Sequence, residues 1–360
     1  MNALGLPDPA PHFPADRSGV AILGCGAIAQ NAHLLAYERY GVGVPGVWSR
    51  SPATTAGVRE RYPFVERVYA DADELLADDR VRIVDIATPV ESRLHWIERA
   101  VEAGKHVLAQ KPVVSSWAEL DALPAVLERA AAAGLRLAVN VNGRWAPPWR
   151  LTTLLLRQHE IGDVVGVTHL HDKPMPPLQG TPFDDVPHML LTDYLVHWID
   201  ITRSWLELSP EGAVVAVRAA DSRVPGQPAA ARNPWSATVD LTSRSGATAS
   251  VRLVGDAISS EPGCRFWVHG TTGAIRGSLL MGSDRLVLDR GAGVVHLPLS
   301  GAWFVDGFAG AMGELMSAIA EDREPEHSAA DAARTVRLVL AARDSAEAGG
   351  VPVEVGASLP

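Results

Sequence analysis

The run VAILGCGAIAQ, residues 20–30, constrains the fold of this chain more than any other stretch. Four apolar residues lead into Gly24-Cys25-Gly26 and then into Ala27, Ile28 and Ala29, which reads as a buried strand, a tight turn and the opening of a helix. Glycine at 24 permits the turn, and glycine at 26 lets a backbone approach a pyrophosphate. Ala29 stands at the third small position of the G-x-G-x-x-G/A fingerprint. A helix N-terminus offers unpaired N–H groups and partial positive charge, so Gly24, Gly26, Ala27 and Ile28 are candidate cofactor-binding positions. Glycine- and alanine-rich chains produce this pattern by chance, so its weight depends on the chain downstream of it.

Downstream, strands and helices alternate. Apolar strand-like runs fall at 20–23, 44–48, 67–69, 83–87, 106–109 and 135–139, with helical stretches at 28–40, 53–62, 72–77, 92–103 and 117–133 between them. That order predicts a doubly wound parallel sheet over 18–141, preceded by a proline-bearing extended leader at 1–17. After Pro147-Pro148 the pattern changes. A helix at 149–159, a strand at 164–171, a proline-rich loop at 173–187 and a helix at 188–205 come first. Strands at 213–219, 237–242, 248–254, 265–268, 285–288 and 294–297 come next, and helices at 308–320 and 329–347 close the chain. Strands in succession imply an α+β second domain at 142–360 on an open, mostly antiparallel sheet. In it Ala237, Val239 and Leu241 share a face, as do Ala249, Val251 and Leu253, and this face should pack on helices near Trp149, Tyr194 and Phe308.

Two short segments carry the chemistry. In AGKHVLAQKP, residues 103–112, a helix ends at Gly104, a short apolar strand comes after it, and Lys111 falls at its carboxyl end with Pro112 fixing the next φ. Open α/β sheets bind ligands at that edge. In DYLVHWID, residues 193–200, Asp193 and His197 are one helical turn apart, with Asp200 on nearly the same face. Such a face can hold an imidazole as a proton acceptor beside a carboxylate, or it can be an ordinary polar face of an amphipathic helix.

A net charge of -10 argues against a nucleic-acid footprint, and no apolar run approaches a membrane span. The two cysteines, Cys25 and Cys264, match no disulfide framework or metal cluster, so no metal site is expected. These features fit a cytoplasmic protein. The second strand ends in Ser49, Arg50 and Ser51, where an NAD enzyme presents an acidic residue to the ribose 2′-hydroxyl. Two hydroxyls and a guanidinium suit a 2′-phosphate, which favours NADP(H) over NAD(H).

The chain resembles the glucose–fructose oxidoreductase/inositol dehydrogenase (Gfo/Idh/MocA) family over nearly its whole length. The resemblance rests on GCGAIAQ, Ala87-Thr88-Pro89, AGKHVLAQKP, the segment around Arg144, D-x-x-x-H at 193–197 and the tail from Ala341. It implies that Lys111, Asp193 and His197 are the catalytic set, and that Thr88, Pro89, Gln110 and Lys111 line the cofactor. It further implies a sugar, cyclitol or similar polyhydroxylated substrate. Asn142, Arg144, Trp145 and His188 would help bind it, although Trp145 and His188 fit core or loop packing equally well. Departures from the family pattern are Gln110 where glutamate is usual, Val90, Arg93 and a displaced His95 after Thr88-Pro89, Pro187, His188 and Met189 before Asp193, and Leu195 for glycine. The larger side chains are expected to bulk the site entrance.

The activity implied is reversible hydride transfer between a nicotinamide and a carbinol carbon, with His197 taking the hydroxyl proton and Lys111 stabilising the alkoxide. Two alternatives stay open: a reductase of a less polar ketone or imine, and a catalytically silent NADP-sensing binding protein. The mixed Thr, Ser, Arg and Trp267 face of the second sheet, together with the resemblance, implies a homodimer or homotetramer.

Overall fold

The computed structural model describes residues 6–172, 178–209, 211–255, 263–279 and 284–356. The chain folds into two compact units: residues 10–145 with 303–336, and residues 146–302 with both chain ends.

The first unit is a parallel sheet. Its strands are β1 (Val20–Leu23), β2 (Val44–Trp48), β3 (Val65–Val68), β4 (Ile83–Ile86), β5 (His106–Gln110) and β6 (Leu137–Asn140), in the order β3-β2-β1-β4-β5-β6. Every pairing is parallel, and β1 and β4 are buried along their whole length, which is why β1 reads as an unbroken apolar run and β4 as one interrupted only by Asp85. The order reverses between β1 and β4, so connections leave the sheet in opposite directions there and open a crevice at the carboxyl edge. Two of the crossover helices, those after Asp71 and Ser116, carry side-chain N-caps. Before the helix Trp117–Ala132, the Ser116 hydroxyl accepts the Glu119 N–H at 3.2 Å while the Glu119 carboxylate accepts the Ser115 N–H at 3.0 Å.

Two segments pack differently from expectation. Residues 303–336, read from the sequence as part of the second domain, belong to the first unit, where Phe308, Ala309, Met312, Leu315 and Met316 share one core with Val20, Ile22 and Leu34. Part of the leader also joins this unit without forming helix or strand: Phe13 stacks on Tyr40 at 5.5 Å and Arg17 donates to the Tyr40 carbonyl at 2.8 Å.

The second unit holds β7 (Val164–His171), β8 (Val214–Ser222), β9 (Ser236–Ser243), β10 (Thr248–Leu253), β11 (Cys264–Gly270), β12 (Ala274–Leu279), β13 (Leu286–Asp289), β14 (Val294–Leu297) and β15 (Val353–Glu354). They form one sheet, β14-β13-β12-β11-β7-β10-β9-β8-β15, antiparallel except where β7 meets β10. β12 and β15 lack a distinct apolar run and were not anticipated from sequence. The apolar face was: Ala237, Val239 and Leu241 pair with Leu253, Val251 and Ala249, and all six are buried. Trp149 and Trp205 are fully buried in this unit, with His169 between them at ring distances of 5.6 and 5.8 Å.

Burial pushes the His169 imidazole down to about 3, because the charged ring would lose its hydration. In the unfolded chain a histidine titrates near ~6.5. The stability gained by keeping His169 neutral is thus complete above the unfolded value and drains away as pH falls toward the folded one. Urea unfolding at pH 7.5, 6 and 5 should show stability falling below pH ~6.5, with His169 contributing up to about 1.4 kcal/mol per pH unit. His169→Phe should flatten that fall, and an unchanged slope would contradict this assignment.

Candidate active site

The carboxyl edge of the first unit's sheet gathers most of the residues singled out for cofactor binding. β1 ends at Leu23, and the chain turns at Gly24 with φ +98°, whose N–H donates to the Trp48 carbonyl at 2.8 Å. A Cβ at Gly24 would come within 2.8 Å of the Thr88 nitrogen, so only glycine lets the turn pass this close to the end of β4. A Cβ at Gly26 would meet nothing within 4 Å, which leaves its face open to an incoming phosphate group. Ala27 and Ile28 open the helix that continues through the π-turn Ala29–His33 into Leu34–Tyr40.

After β4, Thr88 is 7% exposed and its side-chain hydroxyl has no hydrogen-bond partner among the described residues. A buried hydroxyl at a ligand-binding edge normally has a partner, so this one fits a bound ribose or phosphate oxygen. Pro89 begins the short 3₁₀ turn Val90–Ser92. At the end of β2, Ser49 is half-buried while Arg50 and Ser51 are exposed. The open glycine face, the unsatisfied Thr88 hydroxyl and the unpaired helix N-terminus are together what a dinucleotide requires of a protein.

Lys111 comes directly after β5. Its backbone N–H donates to the side-chain carbonyl of Gln110 at 2.8 Å. On its other side, the buried Arg93 guanidinium donates to the Pro112 carbonyl and, at 2.7 Å, to the Thr88 carbonyl. In the sequence Arg93 is no more than a departure from the family pattern. In the structure it ties the segments after β4 and β5 together and holds the Pro112 carbonyl, one residue past Lys111.

Three of the expected substrate-binding residues have other work. Asn142 is buried and accepts the Trp303 indole N–H at 2.6 Å. Arg144 pairs with Asp331 and donates to the Glu326 carbonyl at 2.9 Å. Trp145 is 3% exposed, meets His327 edge-on at 4.6 Å and packs so tightly on Gly310 that a Cβ there would lie 2.4 Å away. These contacts attach 303–336 to the rest of the first unit.

In the second unit, the continuous helix expected over 188–205 is interrupted. A π-turn, Leu190–Tyr194, ends at Leu195, and an α-helix, Val196–Leu206, starts after it. Asp193 thus lies in the π-turn and His197 in the first turn of the helix, both half-buried. π-turns recur at functional sites because the extra residue re-aims side chains. Asp200 is not part of this set: it is 1% exposed and pairs with Arg203 at 3.5 Å. Met189 and Leu195 are buried at 1% and 0% exposure, so they fill core and do not bulk an entrance. His188, at φ +50°, is hydrogen-bonded to Asp221 at 2.8 Å. Among the described residues no cluster of His, Cys, Asp or Glu is arranged to hold a metal ion, and no helix is long and apolar enough to cross a membrane.

Comparison with known proteins agrees with this architecture. Residues 18–141 match the oxidoreductase family model with an NAD-binding Rossmann fold, and residues 149–276 match the GFO/IDH/MocA C-terminal domain model. A D-apiose dehydrogenase of Rhizobium rhizogenes is 26% identical over 94% of this chain and 98% of its own length. One from Paraburkholderia graminis is 29% identical over 64% of this chain and 59% of its own. The crystal structure of an oxidoreductase from Agrobacterium radiobacter, in complex with NAD+, L-tartaric acid and magnesium, superimposes with a TM-score of 0.80. It is 26% identical and covers 94% of this chain and 98% of that one. The chain is a member of the Gfo/Idh/MocA family of oxidoreductases, with the family's NAD-binding Rossmann fold and its C-terminal domain.

Proposed function

We propose that the protein is a nicotinamide-dependent dehydrogenase that oxidises a carbinol, or reduces the matching carbonyl, on a sugar, cyclitol or related polyhydroxylated substrate. The observation that carries this reading is Lys111: a cation at the carboxyl end of β5, with its own N–H and the carbonyl of the next residue, Pro112, both hydrogen-bonded to buried side chains. A lysine serving only solubility needs no such restraint. The nicotinamide, when bound, supplies the hydride acceptor or donor. Gly24, Gly26, Ala27 and Ile28 would hold the pyrophosphate through backbone N–H groups, and Thr88 and Pro89 would line the ribose nearest the reacting ring.

The remaining chemistry falls to the protein. Lys111 hydrogen-bonds the substrate oxygen and stabilises negative charge as the alkoxide develops. His197 takes the hydroxyl proton in oxidation and returns it in reduction. Asp193 binds a neighbouring hydroxyl or steadies His197. His188 remains a candidate substrate contact, and so do Asn142, Arg144 and Trp145, which also make contacts within the first unit. The D-apiose dehydrogenases among the relatives support a sugar substrate. A less polar ketone or imine lacks such support, and a silent nucleotide sensor has no need of a restrained Lys111.

Lys111→Ala should lower kcat on an active sugar by about 100-fold or more with cofactor affinity kept, since it removes a group acting on the reacting oxygen. Near-normal turnover in both Lys111→Ala and His197→Ala would refute the assignment.

For the cofactor we favour NADP(H). The support is that residues 49–51 offer two hydroxyls and the exposed Arg50 guanidinium, and no carboxylate. Fluorescence titration should give tighter binding of NADPH than NADH, with the preference narrowed or reversed in Arg50→Asp. Tighter NADH binding by the wild type would overturn it.

We also infer a homodimer or homotetramer, formed through the second sheet's outer face with Asp240, Thr242 and Arg252 exposed and Trp267 half-buried. Light scattering at micromolar concentration should give twice or four times the 38.3 kDa chain mass, and a monomer would exclude this assembly.

A further inference from the structure

Beneath Lys111 lies a group of polar side chains that the proposed chemistry does not use. His33, Asp85 and Asn140 are fully buried, Tyr37 is 1% exposed and Gln110 7%. They come from the π-turn and helix after β1, from the middle of β4 and from the carboxyl ends of β5 and β6.

Hydrogen bonds fix donor and acceptor at each step from Lys111 to Asp85, while Asp85 Oδ1 and Asn140 Oδ1 are buried without a partner among the described residues. The Lys111 N–H can only donate, so the Gln110 atom 2.8 Å away is the amide oxygen. The Gln110 NH₂ therefore faces His33 Nε2 at 3.0 Å. An amide NH₂ has no lone pair to offer, so His33 Nε2 accepts and carries no proton. The ring proton is then on Nδ1, which donates to Asp85 Oδ2 at 2.6 Å. Tyr37 donates to the same oxygen at 2.5 Å, and the Asn140 amide is a second, longer donor to His33 Nε2 at 3.3 Å. Every donation along the chain runs from the Lys111 backbone towards Asp85.

This order explains Gln110. A glutamate there could still accept from the Lys111 N–H, but its second oxygen could pair with His33 Nε2 only if that nitrogen carried a proton, which turns the neutral ring into an imidazolium. Gln110 and His33 are thus a matched pair. Buried polar sets of this kind are poor stabilisers compared with apolar side chains of the same volume. What this one does provide is a rigid link from the sheet interior to one backbone amide.

We propose that His33 is a positioning residue for Lys111: through Gln110 it sets the orientation of the Lys111 backbone, and so of the ammonium group, without touching substrate. The inference rests on the role given to Lys111 above, but the link itself can be tested without turnover. Lys105, Lys111 and Lys173 are the only lysines in the chain. Protein labelled with ¹⁵N-lysine therefore gives three backbone amide signals, and the one missing from Lys111→Ala is Lys111. His33→Gln keeps an oxygen acceptor near the Nε2 position. His33→Asn keeps a donor near Nδ1 but removes that acceptor.

In the ligand-free protein, Lys111 amide exchange should stay slow in His33→Gln and speed up by about tenfold or more in His33→Asn. On an active substrate, kcat should stay within about threefold in His33→Gln and fall about tenfold or more in His33→Asn, with cofactor Kd kept within about twofold. Gln110→Glu approaches the same link from its other end and carries the test if a His33 variant does not fold. It should lower kcat as His33→Asn does, and the double variant should be no slower than the slower single one. Equal exchange and equal kcat in His33→Asn and His33→Gln would overturn the proposal, as would additive losses in the double variant. If exchange changes as expected while Lys111→Ala retains turnover, the link stands and the catalytic role of Lys111 falls.

Discussion

The candidate site depends on the side-by-side placement of β1 and β4 at the point where strand order reverses. Both strands are buried along their length, β1 wholly apolar and β4 apolar but for Asp85, so neither can shift without exposing a full row of side chains. Their fixed register brings the turn at Gly24 against the backbone of Thr88, with no room for a side chain between. From that contact outward, the edge holds an open glycine face, an unsatisfied buried hydroxyl and, one strand further along, Lys111.

Polar groups at this edge are held to an unusual degree. Arg93 binds carbonyls from the segments after two strands, and Gln110 binds the Lys111 amide from below while the histidine–aspartate pair holds Gln110. Removing one member of such a buried set leaves its neighbour with an unmet hydrogen bond, which costs about 1–3 kcal/mol. The arrangement is therefore stiff. Stiffness matters for a group that must meet charge as it develops on an oxygen, because a displaced cation loses most of its effect.

Much of this could be read from the sequence because it depends on local pattern. All six strands of the parallel sheet were located as short strand-like runs, although β3 carries Glu66 and Arg67 and β4 carries Asp85, and the alternation in β9 and β10 identified the buried face of the second sheet. The glycine turn and the strand-end lysine stood out for the same reason. What escaped were contacts between residues far apart in the chain. His33 looked like one more helical residue, and Asp85 like an isolated charge in an apolar strand; neither can be linked to Gln110 without the fold. Asn142, Arg144 and Trp145 were expected at the substrate from the family resemblance, which says nothing of their packing. Their actual partners, Trp303, Asp331 and Gly310, come from a segment more than 150 positions later. The π-turn at Leu190–Tyr194 was hidden because an inserted residue does not disturb apolar periodicity enough to be noticed.

The central claim is that the protein moves a hydride directly between a substrate carbinol carbon and a nicotinamide held at this edge. Its most direct test is to track isotope: incubate the enzyme with oxidised cofactor and an active sugar carrying deuterium at the carbon that reacts, then weigh the reduced cofactor by mass spectrometry. Direct transfer predicts one deuterium per reduced nicotinamide, located at C4. Reduced cofactor without the label, or no reduced cofactor with any sugar tried, would contradict the account.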